Sequence, residues 1–328
     1  MHIRFAQIEP TTRCNYTCGF CVGRHMPQTD LALQNFQRFI DSVEGLEAIE
    51  LQGEGEPLLH TDFFSMIDIA RAKFPNIEIS MITNGSMFTT DNIEKLLAAK
   101  VGRIFVSAES VDDENFQKIR GGKLERVRRG IRALLAERNQ RQLKQPILGL
   151  SITVLRSTAG ELHEAIPSFY QQLGLDGGIN IQPLQNMPQY SEHYSHDMLS
   201  QRLDKASSDI ANTALQTSVA LKKAISDRGK TLATGFYERL YSSVDSRLEC
   251  PWLANGAYMT TEGTFVACCH VKDYNKYGMG NLEDAGKISE NRKALQKTLA
   301  NGAIPEQCAG CTVARNIVRN NRIVNRNI

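Results

Sequence analysis

Long apolar runs are missing from this chain. None approaches the length of a membrane span, and Met1 to Pro10 lacks the charged-then-apolar layout of a secretory signal. Both absences point to a cytoplasmic protein with no membrane partner. An excess of either charge is missing too: 38 basic and 36 acidic residues leave a formal net charge of +2, too balanced for nucleic acid or a membrane surface to be the main partner. Structural disulfides are rare in the reducing cytosol, so the eight cysteines require another explanation than a disulfide framework. No cysteine occurs between positions 21 and 250, which separates the eight into two sites. What is present, 41% hydrophobic residues in a chain of 328, suffices for one large core or two smaller ones in a folded, soluble protein.

Short β-branched or apolar runs alternate with amphipathic stretches. Ile3 to Ile8, Ala48 to Leu51, Ile77 to Ile82, Arg103 to Ser107, Leu148 to Val154 and Ile179 to Ile181 read as strands. Leu31 to Val43, Phe63 to Arg71, Asn92 to Ala99, Leu124 to Arg138 and Leu162 to Leu173 read as helices, with capping side chains at Thr89 to Asp91. Six strands alternating with five helices predict a parallel sheet, open or curled into a partial barrel, with the chemistry on the loops after the strands. From about Gln185 the pattern changes to a polar segment and then a long helical stretch through Lys223, a linker or lid. Tyr190, His193, Tyr194 and His196 there lack a fixed ligand spacing and read as a solvated turn. The last stretch holds Arg315, Arg319, Arg322 and Arg326 without an acid. It reads as a docked amphipathic helix, with phosphate or acidic-peptide binding as the sharper alternative.

Cys14, Cys18 and Cys21 form a C-x3-C-x2-C run directly after the first strand. Three thiolates on one loop ligate three irons of a 4Fe-4S cube and leave the fourth iron open to another ligand. Zinc is the rival, but it wants a fourth protein ligand, and the nearby His25 lies outside the common paired arrangement. The run Ile8 to Cys14 leading into this motif resembles the start of a radical S-adenosylmethionine (SAM) enzyme, over roughly residues 3–185. The resemblance implies that the open iron binds SAM and that cleavage of SAM yields a radical that abstracts a substrate hydrogen. It implies an α/β fold, a partial (β/α)6 TIM-like barrel.

Further segments match in order. Gly53-Glu54-Gly55-Glu56-Pro57 resembles the family's Gly-Gly-Glu-Pro loop, which holds the methionine amino group, with Glu54 where the common form has glycine. Asn84 ends the third strand; Ser107 and Glu109 end the fourth, where the family often contacts the SAM ribose. Arg120 lies where an arginine of related enzymes meets the SAM carboxylate. Phe20 packs on the adenine or closes the cluster from water.

In the second group, a turn at Gly263 brings Cys250 and Cys268 together as a hairpin, and Cys308 and Cys311 form a C-x2-C that closes the site. This is similar to the auxiliary-cluster module called SPASM in its two-cluster form and Twitch in its one-cluster form; four ligands favour Twitch. A structural zinc site is the alternative. Cys269 is either a hydrogen-atom donor to a substrate radical or a buried neighbour of Cys268 facing the other way. The expected organisation is a radical SAM core (1–185), a helical linker or lid (186–249), and a small hairpin/helix domain for the auxiliary cluster with a basic tail (250–328). The implied cofactors are two 4Fe-4S clusters and SAM. The resemblance implies oxidative modification of a ribosomally made precursor peptide, with a separate peptide-recognition protein and an electron donor such as flavodoxin or ferredoxin. A dehydrogenase of an aminocyclitol or aminosugar carbinol is the alternative, and a non-catalytic iron–sulfur or zinc protein ranks last.

Overall fold

In a computed structural model that describes residues 1–225 and 238–324, six parallel strands follow one another across a sheet. They are Phe5–Ile8 (β1), Ala48–Leu51 (β2), Glu78–Thr83 (β3), Arg103–Ser107 (β4), Ile147–Val154 (β5) and Ile179–Pro183 (β6). Each pairs in parallel with the next, from Phe5 opposite Ala48 to Val154 opposite Pro183. All four residues of β1 and of β2 are buried, as expected where both faces of a parallel sheet are covered. The sequential order of βα units is that of a partial TIM barrel.

The helices that cover the sheet are Leu33–Ser42 (α1), Phe63–Lys73 (α2), Thr90–Ala98 (α3), Asp113–Arg120 (α4), Leu124–Gln140 (α5) and Ala165–Gln172 (α6). In α1 the stripe Phe36, Phe39 and Ile40 is fully buried, each side chain contributing on the order of 1.5–3 kcal/mol. Thr89 caps α3 by accepting a hydrogen bond from Asn92 N at 3.2 Å. The sequence pattern misses α4, where only Phe116 and Ile119 supply an apolar face among charged residues. The expected helix from Leu162 to Leu173 is divided into a 3-10 turn, Ala159–Leu162, and α6. A continuous helix would set Pro167 in its interior; starting at Ala165 puts that proline in the first turn, where its missing N–H costs nothing.

The C-terminal hairpin continues the same sheet. Gly256–Met259 (β7) lies parallel to β1, with Phe5 opposite Gly256, and Thr264–Val266 (β8) returns antiparallel. The turn between them carries Gly263 at φ +78°, a conformation that suits glycine. Gly280–Asn281 (β9) ends the order β6-β5-β4-β3-β2-β1-β7-β8-β9. The polar segment holds two short helices, Pro188–Ser191 and His196–Ser200, and the helical stretch expected through Lys223 follows, interrupted at Ser218 between residues 219–225 and the helix Lys205–Thr217. Lys205–Thr217 is started by a capping box between Asp204 and Ser207. The basic segment forms the helix Thr312–Val324, which buries Ala314, Ile317 and Val318 and exposes Arg315, Arg319 and Arg322; Arg326 lies outside the described residues. Among the described residues no helix is long and apolar enough to cross a membrane.

Candidate active site

The first cysteine loop is fixed by backbone contacts at both ends. Thr12 N donates to Thr29 O at 3.0 Å; Thr17 N and Gly19 N donate to Arg120 O and Ile119 O at 2.9 and 3.3 Å. The second pair satisfies carbonyls that the C-terminal end of α4 leaves open. Close approach there depends on Gly121 and Gly122. A Cβ at Gly121, which also has φ +73°, would meet Thr17 Oγ1 at 2.0 Å, and one at Gly122 would meet the Tyr16 ring at 2.1 Å.

The loop after β2 lies along this one, with Gly55 N donating to Thr11 O at 3.1 Å and Glu56 N to Arg13 O at 2.9 Å. A Cβ at Gly55 would fall 2.4 Å from Thr11 O and 2.5 Å from Arg13 O. The buried Glu56 carboxylate accepts from Thr83 Oγ1 and Asn84 N, both at 2.7 Å, and so joins the ends of β2 and β3. Asn84 Nδ2 donates to Asn15 Oδ1 at 2.8 Å and lies 3.8 Å from Cys14 Sγ.

These loops enclose a cavity of about 240 Å³. It is lined by Cys14, Cys18, Phe20 and Cys21, by Gly53 to Glu56, and by Asn84, Ser107, Glu109 and Arg120. Of the expected SAM contacts only Pro57 stands outside it, buried at the start of the 3-10 turn Pro57–Leu59. Arg120 and Glu109, each expected to face SAM, form a buried ion pair with one another. The guanidinium also lies over the Tyr16 and Phe116 rings, 5.7 and 5.8 Å from their centroids. Its Nε is buried with no hydrogen-bond partner among the described residues.

Several lining residues carried no signal in the sequence. Tyr190 and Tyr194, read as part of a solvated turn, line the cavity instead, and Tyr194 is only 8% exposed. Tyr190 is held by contacts distant in sequence: its hydroxyl donates to Cys269 O at 3.5 Å and Lys272 Nζ lies 5.7 Å from its ring centroid. His193 stacks on His25 at 5.0 Å. Lys272 lines the cavity too and pairs with Glu54 at 2.5 Å.

The other cysteines divide between two cavities. Cys250, Cys268, Cys308 and Cys311 line a second one of about 510 Å³, whereas Cys269 lines the first and His270 both. Among the described residues the His270 Nδ1 is buried without a partner, and burial pushes its pKa down to about 4. Cys250 is the N-cap residue of the helix Pro251–Asn255, and Cys311 N donates to Cys308 O at 3.0 Å across the C-x2-C turn. Burial pushes the Cys18 thiol up to about 11 and the Cys308 thiol up to about 12. Such thiols ionise when a metal supplies the compensating charge. Among the described residues no three Cys, His, Asp or Glu side chains converge on a point that would hold a single ion. A cube asks for a different arrangement, since each thiolate binds its own iron.

Residues 8–151 match the family described as the Radical SAM superfamily. This stretch is similar to a radical SAM domain. Proteins of that superfamily use a 4Fe-4S cluster and SAM, and the matched stretch holds the three thiols and the loop from Gly53 to Pro57. In sequence the chain is 31% identical over 141 residues to a GTP 3',8-cyclase of Listeria welshimeri, covering 39% of this chain and 40% of that one. The fold of the chain is that of anSMEcpe with bound AdoMet (TM-score 0.66, 15% identity, 96% of this chain and 88% of that chain). It is also that of Streptococcus suis SuiB bound to the precursor peptide SuiA (TM-score 0.60, 14% identity, 80% of this chain and 59% of that chain). The chain thus spans two fifths of the length of the Listeria relative and less than two thirds of SuiB.

Proposed function

We propose that this chain is a radical SAM enzyme that oxidatively modifies a ribosomally made precursor peptide. The observation that carries the chemistry is convergence: three thiols of one loop, residues 53–56 of the next and the Arg120–Glu109 pair all line one cavity, which Cys269, His270 and Lys272 also line. In this reading Cys14, Cys18 and Cys21 hold a 4Fe-4S cluster. When bound, that cluster supplies the electron that cleaves SAM, giving a 5′-deoxyadenosyl radical that takes a hydrogen atom from the substrate. Arg120 keeps its charge under all conditions, and from the cavity lining its guanidinium serves the SAM carboxylate. Ser107 and Glu109 offer oxygen atoms to the ribose, and Phe20 supplies apolar surface for the adenine. Cys250, Cys268, Cys308 and Cys311 hold a second cluster whose four irons are saturated by thiolate, so substrate binds free of metal.

The peptide reading is supported by the polarity of the cavity. Gln7, Gln52, Gln182 and Gln185 line it, and Gln52 Oε1 is buried without a partner among the described residues. Amides of this kind pair with peptide groups. The basic side chains among its described lining residues, Arg120 and Lys272, each have a carboxylate partner, which leaves poor provision for a triphosphate such as the name of the Listeria relative implies. SuiB and anSMEcpe, whose fold the chain shares, have been seen with bound peptides. A separate recognition protein delivers the peptide, and a flavodoxin or ferredoxin supplies electrons.

Anaerobic reconstitution should give about eight iron and eight sulfide per chain, two cubes of four. Replacing Cys14, Cys18 and Cys21 by Ala should halve both and abolish SAM cleavage; retained cleavage would sink the assignment. Cys268→Ala should lose the second cluster and Cys269→Ala keep it. Co-expression with short peptides encoded beside the gene, read by mass spectrometry, should show loss of two hydrogens from one peptide. Product formation from a nucleotide or aminosugar alone would refute the peptide reading.

A further inference from the structure

Glu54 stands where the family's loop has glycine, and its side chain is not directed to solvent. Its Oε2 accepts from Gly23 N at 3.2 Å and lies 3.5 Å from Cys21 Sγ; its backbone oxygen lies 3.7 Å from the same sulfur. The approach is tight, since a Cβ at Gly23 would meet Glu54 Cβ at 2.5 Å. The other carboxylate oxygen, Oε1, pairs with Lys272 Nζ at 2.5 Å, with 4% of the lysine and 15% of the glutamate side chain exposed. A carboxylate buried this far ionises only beside a compensating charge. Lys272 supplies it through that contact. Lys272 belongs to the segment that follows Cys268 and Cys269, more than two hundred residues from Glu54.

We propose that Glu54, ion-paired with Lys272, lowers the reduction potential of the cluster held by Cys14, Cys18 and Cys21. The inference rests on the cluster reading above. Cys21 is one of that cluster's three thiolates, and the Glu54 carboxylate lies against it. Reduction adds an electron to the cluster, and a negative charge at 3.5 Å from a ligand sulfur opposes that addition; Lys272, on the far oxygen, offsets it only in part. The low-potential protein donor gives up its electron less readily to such a cluster, but the reduced cluster is a stronger reductant toward the sulfonium of SAM. Glu54 and Lys272 act through Cys21 and are positioning residues.

The test is an EPR-monitored redox titration of the signal that changes on addition of SAM, which identifies the first cluster and leaves the second out. Glu54→Gln removes the nearby negative charge at constant shape and should shift the midpoint to higher potential. The double variant Glu54→Gln/Lys272→Met buries no unpaired charge, so it guards against misfolding of the single variant. Its midpoint should lie above wild type and at or below that of Glu54→Gln, because the more distant cation is gone as well. Midpoints in both variants equal to wild type would overturn the proposal. A wild-type signal that does not respond to SAM would instead overturn the radical SAM reading, and this inference with it.

Discussion

At the residue scale, spacing is legible when the chemistry needs neighbours on one loop. The C-x3-C-x2-C run and the segment Gly53 to Glu56 reach one cavity because each is short and follows a strand of a parallel sheet. Lys272, Tyr190 and Tyr194 were illegible for the opposite reason: their partners lie far away in sequence, and nothing local to Lys272 announces Glu54. Glu9 shows how such a contact alters a single group. It is fully buried, with Glu54 N donating to its Oε1 at 2.7 Å and Tyr274 Oη to its Oε2 at 3.2 Å. Burial raises its pKa from 4.5 to about 7 against the opposing charge of Lys272. The protonated form is the one the fold favours. Its contribution to stability is therefore complete below the unfolded value of 4.5 and is lost as pH rises through about 7. That amounts to about 3 kcal/mol across the window. Chemical denaturation from pH 4.5 to 8 should show wild type losing more stability with rising pH than Glu9→Gln. Parallel curves for the two proteins would show that Glu9 does not titrate in this range.

At the element scale, the strands were the most legible part, because buried parallel strands are continuous β-branched or apolar runs. The helix ends were less so: α4 has too few apolar residues to show a period, and Pro167 resets the start of α6. Neither error moved the site, which lies on loops held by backbone contact. Those loops make glycine identity a structural requirement. At Gly55 the obstructing atoms are the backbone carbonyls of Thr11 and Arg13, which cannot swing aside as a side-chain end would. Gly55→Ala should therefore destabilise the protein by about 1–3 kcal/mol and weaken SAM binding, because loop 53–57 must part from the cysteine loop. Gly160 is the control. A Cβ there meets nothing within 4 Å among the described residues, and Gly160→Ala should stay within about 0.5 kcal/mol of wild type. Urea unfolding and SAM titration read both effects; equal stability of the two variants would contradict the close packing of the loops.

At the scale of the whole molecule, the C-terminal segment is built into the sheet that carries the first cysteine loop. β7 supplies the outer hydrogen-bonding partner of β1, from Phe5 opposite Gly256 to Ile8 opposite Met259. Trp252 packs edge-on against Phe5 at 5.5 Å, Thr29 and Thr261 share a hydrogen bond of 2.7 Å, and Glu54–Lys272 and Glu9–Tyr274 cross the same seam. Motif spacing identified the segment as a second cysteine site, but strand partnership cannot be read from motif spacing, so its union with the barrel was invisible in the sequence. The physical consequence is that residues 1–249 alone would present β1 as an unpaired edge. Phe5, Ala6 and Ile8 are fully buried in the intact chain, and an exposed apolar edge strand templates aggregation. A chain ending at residue 249 should be insoluble or bind cluster poorly, and the intact apoprotein should unfold in one transition seen alike by Trp252 fluorescence and by far-UV circular dichroism. A soluble, monomeric fragment 1–249 that takes up four iron and cleaves SAM would show that β1 needs no partner on that side. It would confine the role of the C-terminal segment to the second cysteine site and the substrate.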